Sequence, residues 1–469
     1  MHSARRWYLG VAMGGFLVAA QPVIAQVGER DPAATPWPLP ATQAGAGGES
    51  GSERFFGVLG DTTLNRLIDD ALAGNYDVRA AEARVDGAEA SRLHAALELA
   101  PIITAEAGYT RRRFANSTFP GLGAGTLPDE TVWDSGLRAS WALDVFGRIR
   151  GDVRARGALA GAAEEDVRDA RVAVTAGVAK AYFGLRGVQE QLAVARRNAE
   201  NQQRTLDLTL TRLAAGRGNE FDAERARAQL NFTLAAIPSF EAEVAAAEYR
   251  IAVLVGRAPH ELELPDAGAL PELPESVPLA LASRVVESRP DVLGAEGRLA
   301  ASRALVGSAR ADYLPRISLA AGAGYTARAF DAFGSTGTFN YAVGPMISWA
   351  AFDMGRVKAR VDEAQALEIE ARAGYEHAVL RAQEELDAAA VRYHTARTRL
   401  EHLEESAAAS ERAARLATVR YEGGVADFLQ VLDAGRTLLV AQDQLVQART
   451  AAAEAYVDLY EARGGVWEQ

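Results

Sequence analysis

The chain of 469 residues contains no cysteine and carries a formal net charge of −12 at pH 7. The absence of cysteine excludes disulfides, thiolate metal sites and a lipid attached through an N-terminal cysteine. The acidic balance disfavours nucleic acid as a partner, so no nucleic-acid binding is expected.

The first 25 residues have the pattern of a secretory signal peptide. Arg5 and Arg6 precede an apolar run, and small residues at 23–25 (VIA) provide a cleavage site. The apolar run is too short to span a bilayer as a helix. Residues 1–25 are therefore predicted to be removed on export, and residues 26–61 are predicted to form an irregular segment.

The rest of the chain contains two copies of one unit. Residues 212–237 and 420–445 align at a constant offset of 208, with glycines at the equivalent positions 216 and 424. Self-similarity of this kind predicts a repeated architecture. The predicted parts are a first repeat at 62–255, a proline-rich connector at 256–289, a second repeat at 290–463 and a tail at 464–469.

Each copy contains two segments that alternate with a period of two residues, as β-strands do. In TVWDSGLRASWALDVF, Trp133, Leu137 and Trp141 share one face, and Arg138 lies on the other. An apolar band with aromatic residues near its ends is typical of transmembrane barrel strands, although a soluble sandwich strand alternates in the same way. The predicted strands are 102–113, 131–146, 316–330 and 338–353, and the residues predicted to face lipid are Trp133, Leu137, Trp141, Tyr341, Ile347 and Trp349.

Four strands per chain are too few to close a membrane barrel. Open sheet edges are not tolerated in lipid, and the smallest known barrels have about eight strands. The sequence therefore predicts an oligomer in which several chains share one barrel. Strand alternation alone leaves assemblies of two, three or four chains open.

The strand pairs are followed by helices of unusual length. Residues 356–422 contain no proline, and one helix over this segment would be about 100 Å long. Ala382, Leu386, Ala389 and Tyr393 follow a heptad spacing, which indicates packing of helix against helix. A simple antiparallel coiled coil would show the same spacing, but the alternating strands argue against that structure. The predicted long helices are 149–215, 222–255, 356–422 and 425–463.

Each pair of long helices reverses at a glycine turn. Glycine permits the left-handed backbone that often ends a helix. The predicted tips contain Gly216, Gly218, Gly423, Gly424 and Val425.

Motifs of catalysis are missing from the sequence. The glycine-rich GLGAGT at 121–126 falls between two predicted strands, which makes it a weak candidate for a phosphate loop, and no P-loop, HExxH or GxSxG occurs. His377, His394 and His402 lie on one predicted helix without the spacing of metal ligands. We therefore expect no enzymatic activity, no cofactor and no metal site.

Three segments together resemble the TolC-like outer-membrane factors, and among them the efflux-associated NodT or OprM-like branch. They are residues 288–326, WAAFDMGR at 349–356 and RYEGGVADFLQVLDAGRTLL at 420–439. The resemblance covers essentially the whole chain after the signal peptide. It implies an α+β membrane protein, a trimeric 12-stranded transmembrane β-barrel with four strands per chain, continued by a long periplasmic α-helical coiled-coil barrel. Many members of this branch carry a lipidated N-terminal cysteine, which this chain lacks.

The resemblance also implies a function and a location. The expected function is the outer-membrane channel of a tripartite efflux pump, providing an exit duct for small molecules and drugs across the periplasm and outer membrane. Expected partners are two further copies of the chain, a periplasmic adaptor (membrane fusion) protein, an inner-membrane transporter of RND or ABC type, and outer-membrane lipid.

Alternatives to this function remain at the level of the sequence. One is the exit duct of a type I protein secretion system, and another, from a different class, is a periplasmic coiled-coil scaffold. Export of copper or silver ions is disfavoured, because soft ions prefer sulfur ligands and only Met346 and Met354 follow the signal peptide.

The resemblance further assigns a gate to the second glycine turn. Leu429 and Asp433 lie four residues apart, on one face of a helix, and in this family that face lines the constricted inner end of the tunnel. Rings of leucine and carboxylate would narrow the pore and attract cations. Arg420 and Tyr421 are implied to hold the tips closed, and the glycine turns to dock the adaptor. Without the resemblance, Leu429 would be interpreted as helix packing and Asp433 as a solvated or capping charge.

Overall fold

In a computed structural model of the chain, the structure describes residues 55–113, 129–265, 270–274 and 282–465. The predicted signal peptide and the GLGAGT segment lie outside the described residues. The elements in chain order are α1 (Thr62–Gly74), α2 (Tyr76–Leu97), β1 (Ile102–Arg112), β2 (Glu130–Leu143), α3 (Arg148–Ala214), α4 (Glu220–Leu254), α5 (Ala282–Glu287), α6 (Pro290–Ala311), β3 (Arg316–Ala327), a short 3-10 turn (Phe330–Ala332), β4 (Phe339–Ser348), α7 (Met354–Glu422) and α8 (Phe428–Ala462).

The four strands form one antiparallel sheet in the order β1-β2-β3-β4. The central pairing, β2 with β3, joins the first repeat to the second. Leu137 lies opposite Ala323, which in turn lies opposite Tyr341, so the apolar sets of both repeats occupy one face. Arg138 and Glu106 form an ion pair of 2.7 Å on the other face, which is otherwise rich in glycine, alanine and serine.

β1 ends one residue before its predicted end at 113, and the other three strands end three or more residues earlier than their sequence alternation predicts. β2 ends at Leu143 rather than 146, because the Asp144 carboxylate accepts hydrogen bonds from the backbone N–H groups of Ile149 (3.0 Å) and Arg150 (2.8 Å) and so caps the start of α3. β3 ends at Ala327 rather than 330, where the chain enters the 3-10 turn. β4 ends at Ser348 rather than 353, because a tight turn leads directly into α7.

The helices repeat the same plan in both halves of the chain. α2 and α6 have 22 residues each, α3 and α7 have 67 and 69, and α4 and α8 have 35 each. α3 packs against α4 and α7 against α8 as two helical hairpins, and α6 lies against both α3 and α7. Among the described helices, none has an apolar stretch sufficient to cross a membrane.

The main core lies midway along the long helices. Ala382, Leu386, Ala389 and Tyr393 of α7 are buried in it, as their heptad spacing predicts. Here the ends of the described chain also meet, since the ring of Phe55 stacks on Tyr456 of α8 with centroids 4.4 Å apart. Leucines of the connector between the repeats pack against the same cluster. The sequence predicts an irregular connector at 256–289. The structure differs in part, because this connector contains the short helix α5.

Arg289, immediately before the second repeat, joins three segments at this core. Its buried guanidinium donates hydrogen bonds to Asp291 (2.8 Å), to Glu385 of α7 (2.7 Å) and to the carbonyl of Ala462 (2.9 Å). Burial by itself raises the pKa of Glu385, but hydrogen bonds from Arg289 and Arg381 outweigh burial and hold the pKa below its ordinary value. The second repeat is thus fixed to both helices of its hairpin.

Candidate functional site

Both helical hairpins reverse through the same backbone motif. Gly216 and Gly424 adopt left-handed φ angles of 69° and 74°. One residue later, the Arg217 N–H donates to the carbonyl of Arg212 and the Val425 N–H donates to the carbonyl of Arg420, each at 2.9 Å. This six-to-one bond is the Schellman motif, and its left-handed position explains why glycine recurs there.

The other two predicted tip glycines have different roles. A Cβ at Gly218 would lie 3.0 Å from the backbone nitrogen of Leu213, so the close approach of two backbones favours glycine. Gly423 has an ordinary right-handed φ of −73°, and a Cβ there would make only normal contacts. Glycine is therefore required at 424 but not at 423.

The returning helices begin with equivalent side-chain caps. Asn219 accepts a hydrogen bond from the Asp222 N–H at 2.8 Å, and Asp427 accepts one from the Gln430 N–H at 3.1 Å. α8 consequently begins at Phe428, three residues after the predicted start at 425. The N–H of Val425 is still directed back at the preceding helix, and the solvent-exposed Val425 side chain lies at the tip.

An arginine that sequence reasoning did not assign joins the two tips. The Arg212 guanidinium, at the end of α3, lies 4.2 Å from the ring centroid of Tyr421 and donates to the carbonyls of Tyr421 (2.6 Å) and Glu422 (2.9 Å). These carbonyls are among the last of α7, where a cation is favoured by the helix dipole. In the repeat, Arg212 aligns with Arg420. This alignment draws attention to Arg212 but does not reveal its contact with Tyr421.

The four predicted gate residues lie close together in sequence but face different surroundings. Leu429 is 52% exposed and Asp433 is exposed on the same side of α8. Tyr421 is only 7% exposed, because it packs against Phe428 in a small buried cluster within the chain. Arg420 is exposed. The structure therefore brings Leu429 and Asp433 together on an open face and directs Tyr421 into the chain's own interior.

The first repeat has a different pair at the positions equivalent to Leu429 and Asp433. Phe221 is exposed, and the guanidinium of Arg225 lies 5.2 Å from the centroid of its ring. The equivalent surface of α4 thus carries an aromatic ring and a positive charge. Only the second repeat presents a leucine and a carboxylate.

The predicted lipid-facing residues lie on the apolar face of the sheet or at its helical end. Trp141 donates its indole N–H to the carbonyl of Leu99 at 2.7 Å, and Trp349, one residue beyond β4, donates to the carbonyl of Tyr313 at 3.0 Å. At the other end, Trp133 contacts two further aromatic rings. Leu137 and Tyr341 lie between these levels, Ile347 lies in register with Leu143 near the helical end, and all three are exposed.

No group of three histidine, aspartate or glutamate side chains suited to a metal ion occurs in the part of the chain that the structure describes. The tips and the sheet expose the surfaces described above. Their chemistry consists of apolar faces, ion pairs and helix caps.

Comparison with known proteins agrees with this geometry. Residues 67–257 and 281–465 match the family model described as outer membrane efflux protein. The chain is 30% identical over 433 residues to the pyoverdine export outer membrane protein OpmQ of Pseudomonas aeruginosa, covering 91% of this chain and 90% of that protein. It is also 30% identical over 413 residues to the outer membrane protein OprJ of the same species, covering 87% and 85%.

A solved structure shares both the fold and the sequence pattern. The outer-membrane channel OprN superposes with a TM-score of 0.83 at 38% identity, covering 89% of this chain and 93% of that one. The fold class, outer-membrane location and efflux function predicted from the sequence are confirmed. The chain belongs to the outer membrane efflux protein family and is an outer-membrane channel component of an efflux pump.

Proposed function

We propose that three copies of this chain form one channel, in which the four-stranded sheets join into a 12-stranded barrel and the helical hairpins form a periplasmic tunnel. The observation that carries this proposal is the sheet itself, in which β1 and β4 each pair on only one side within the described chain. Unpaired edges are not stable in lipid. Edge pairing between copies satisfies both edges, and the continuous apolar face then surrounds the barrel.

The tunnel narrows at the second tip. Three copies of Leu429 form an apolar constriction, and three copies of Asp433, one helical turn further along α8, form a ring of negative charge. Tyr421 acts from behind this surface, since Arg212 and Phe428 hold it within its own chain. Arg420, whose side chain is exposed, is available to a neighbouring copy.

The two tips dock a periplasmic adaptor protein, through which the channel meets an inner-membrane transporter of RND or ABC type. Support comes from the exposed turn, where Val425 presents an apolar side chain that is 73% exposed. A rigid Schellman turn presents that side chain in one orientation, which suits repeated docking.

Site-specific photocrosslinking in cells tests this arrangement. A photoreactive residue at Val425 is expected to yield an adduct with an adaptor, whereas the same residue at Tyr341, also 73% exposed, is expected to yield none. Mass spectrometry of the purified complex identifies the adaptor and transporter. Absence of an adaptor from the Val425 adducts, or equal adducts from both positions, would overturn the docking surface.

A further inference from the structure

The end of the sheet remote from the helices carries a group of arginines. Arg111 and Arg113 both pair with the single carboxylate of Asp129, at 3.0 and 2.6 Å. Their side chains remain 64% and 77% exposed, against 25% for Asp129. One carboxylate thus orders two guanidiniums while neutralising the charge of only one.

The strand register places this trio on the apolar side of the sheet. Arg111 lies opposite Thr131, and two residues earlier Tyr109 lies opposite Trp133 on the same face. Arg113 follows Arg111 by two residues and meets the same carboxylate. Arg112, by contrast, lies opposite Glu130 on the other face and pairs with it at 2.6 Å.

Aromatic rings lie directly beneath the trio. The centroids of Tyr109 and Trp133 are 4.5 Å apart, and Phe330 lies 5.0 Å from Trp133. Such girdles mark the boundary between lipid and water in barrel proteins. Trp133 and Trp141 are separated by about 27 Å of strand, or roughly 20 Å of depth at the usual tilt, which fits one apolar band between two girdles.

These positions identify the environment of Arg111 and Arg113. The helices extend from the opposite end of the sheet toward the periplasm, so the trio lies at the outer surface of the membrane. It is about 7 Å or more of strand beyond the aromatic girdle, at the level of lipid headgroups rather than of hydrocarbon. The outer leaflet there is rich in phosphorylated glycolipid.

We infer that Arg111 and Arg113, held by Asp129, form a binding site for the phosphate groups of lipopolysaccharide on the outside of the barrel. The inference rests on the proposed trimeric barrel. Guanidinium groups bind phosphate through two parallel hydrogen bonds, and the excess positive charge complements the anionic headgroup. The aromatic rings below contact the upper part of the acyl chains.

The test uses purified trimer in detergent and bisphosphorylated lipid A as the probe, with binding measured by native mass spectrometry. The double variant Arg111→Gln with Arg113→Gln is expected to bind about tenfold more weakly than the wild type. Its matched control is Arg112→Gln with Arg328→Gln, which removes the same charge from the same rim but from arginines that pair with Glu130 of the opposite face. The control is expected to bind within about twofold of the wild type.

Two further arms identify the ligand chemistry. With dephosphorylated lipid A as the probe, the two double variants are expected to bind with equal strength. Millimolar inorganic phosphate is expected not to displace the intact glycolipid. Equal binding by both double variants, undiminished binding of the dephosphorylated glycolipid to the wild type, or displacement by free phosphate would overturn the inference.

Assembly is scored separately by heat-modifiable migration of the trimer. If the glutamine variant does not assemble, Arg111→Lys with Arg113→Lys keeps the charge but not the paired hydrogen bonds, and it is expected to bind severalfold more weakly. Unchanged binding by this variant would contradict the inference. A wild-type chain that forms no trimer would instead contradict the proposed function.

Discussion

The guanidinium of Arg212 covers the ring of Tyr421 at 4.2 Å and donates a 2.6 Å hydrogen bond to the carbonyl of the same residue. The first hairpin of the chain thereby caps the C-terminal end of α7, the first helix of the second hairpin. Arg212 and Tyr421 are 209 residues apart, so this contact couples the two copies of the repeat at the point where they are furthest from the core.

Replacing Arg212 with alanine should loosen the second tip. Hydrogen bonds to a charged group contribute about 1.5–3 kcal/mol each, so the local opening free energy should fall by a similar amount. Hydrogen exchange at the Gly424 amide, which donates to the Tyr421 carbonyl, should become at least tenfold faster. Arg217→Ala, at an exposed arginine of the first turn, is the control, and equal exchange in the two variants would contradict the coupling.

The gate proposal predicts a change in conduction without a loss of stability. Leu429→Ala combined with Asp433→Ala should raise single-channel conductance, weaken cation preference and sensitise cells to large antibiotics such as vancomycin. Because both side chains are exposed in the chain, the free energy of unfolding should change by only about 0.5 kcal/mol.

The first repeat supplies a control for this gate. Phe221→Ala with Arg225→Ala removes the side chains at the equivalent positions. This variant should retain the cation preference of the wild type. If both double variants behave alike, or if Leu429 and Asp433 can be removed without effect on conductance, these residues do not form the gate.

The two faces of β2 should tolerate charge very differently. Leu137→Arg places a guanidinium on the apolar face and should cost about 2–4 kcal/mol if the residue lies near the bilayer midplane. Arg138→Gln on the adjacent position breaks only an exposed ion pair with Glu106, which is worth about 1 kcal/mol or less. The yield of heat-modifiable trimer in outer membranes measures the effect of each variant. Similar yields from the two variants would mean that the apolar face does not contact lipid.

Adjacent glycines at the second turn should respond differently to a methyl group. Gly424→Ala forces a left-handed φ on alanine and should destabilise the turn by about 1–2 kcal/mol. Gly423→Ala meets no such strain and should be neutral or slightly stabilising. Limited proteolysis between residues 420 and 428 reports on the turn, and equal cleavage rates would show that the left-handed backbone is not required.

Glu165 of α3 should make stability depend on pH. It is 6% exposed, and although its Oε1 atom accepts a hydrogen bond from Arg168 at 2.7 Å, its Oε2 atom has no hydrogen-bond partner among the residues that the structure describes. Burial raises the pKa of Glu165, so its ionised form is disfavoured in the folded chain. The resulting penalty is present above the folded-state pKa and disappears as the pH falls below the unfolded value of about 4.3.

Glu165→Gln should therefore raise the melting temperature at pH 7.5, by an amount equivalent to about 1 kcal/mol, and should have no effect near pH 4. Glu200→Gln, at an exposed glutamate further along α3, is the control and should leave the melting temperature unchanged at both pH values. A pH-independent effect of Glu165→Gln would indicate that packing, rather than ionisation, is responsible.

The repeat and the strand faces could be predicted because they are written in local periodicity. Leu137 and Trp141 fall on one face by their spacing alone, and the glycines at 216 and 424 mark the turns because few other residues adopt that backbone. Both features depend on residues near each other in sequence. They were accordingly predicted at the positions where the structure has them.

The remaining features depend on individual side-chain contacts and on short segments, which sequence periodicity does not reveal. Asp144 continues the alternation of β2, yet its carboxylate caps α3, so the strand ends before it. The contact of Arg212 with Tyr421 joins residues at two helix ends, where the heptad pattern carries no information about partners. The helix α5 spans only six residues within a proline-rich connector, which is too short for a helical period to emerge.

The part of α3 beyond the main core is long enough to amplify small movements of the helix. From Leu185, in the main buried cluster, to its end at Ala214 the helix extends about 45 Å, and along this stretch the described residues form a smaller buried cluster that contains Ala199 and Leu206. A bend of two degrees at that cluster displaces the far end by roughly 1.5 Å, whereas the segment between the cluster and the sheet keeps its position. Under the gate proposal, a small rearrangement among the central side chains is thus magnified into a movement of roughly 1.5 Å at the tip, so that the pore changes its aperture while the barrel in the membrane stays in place.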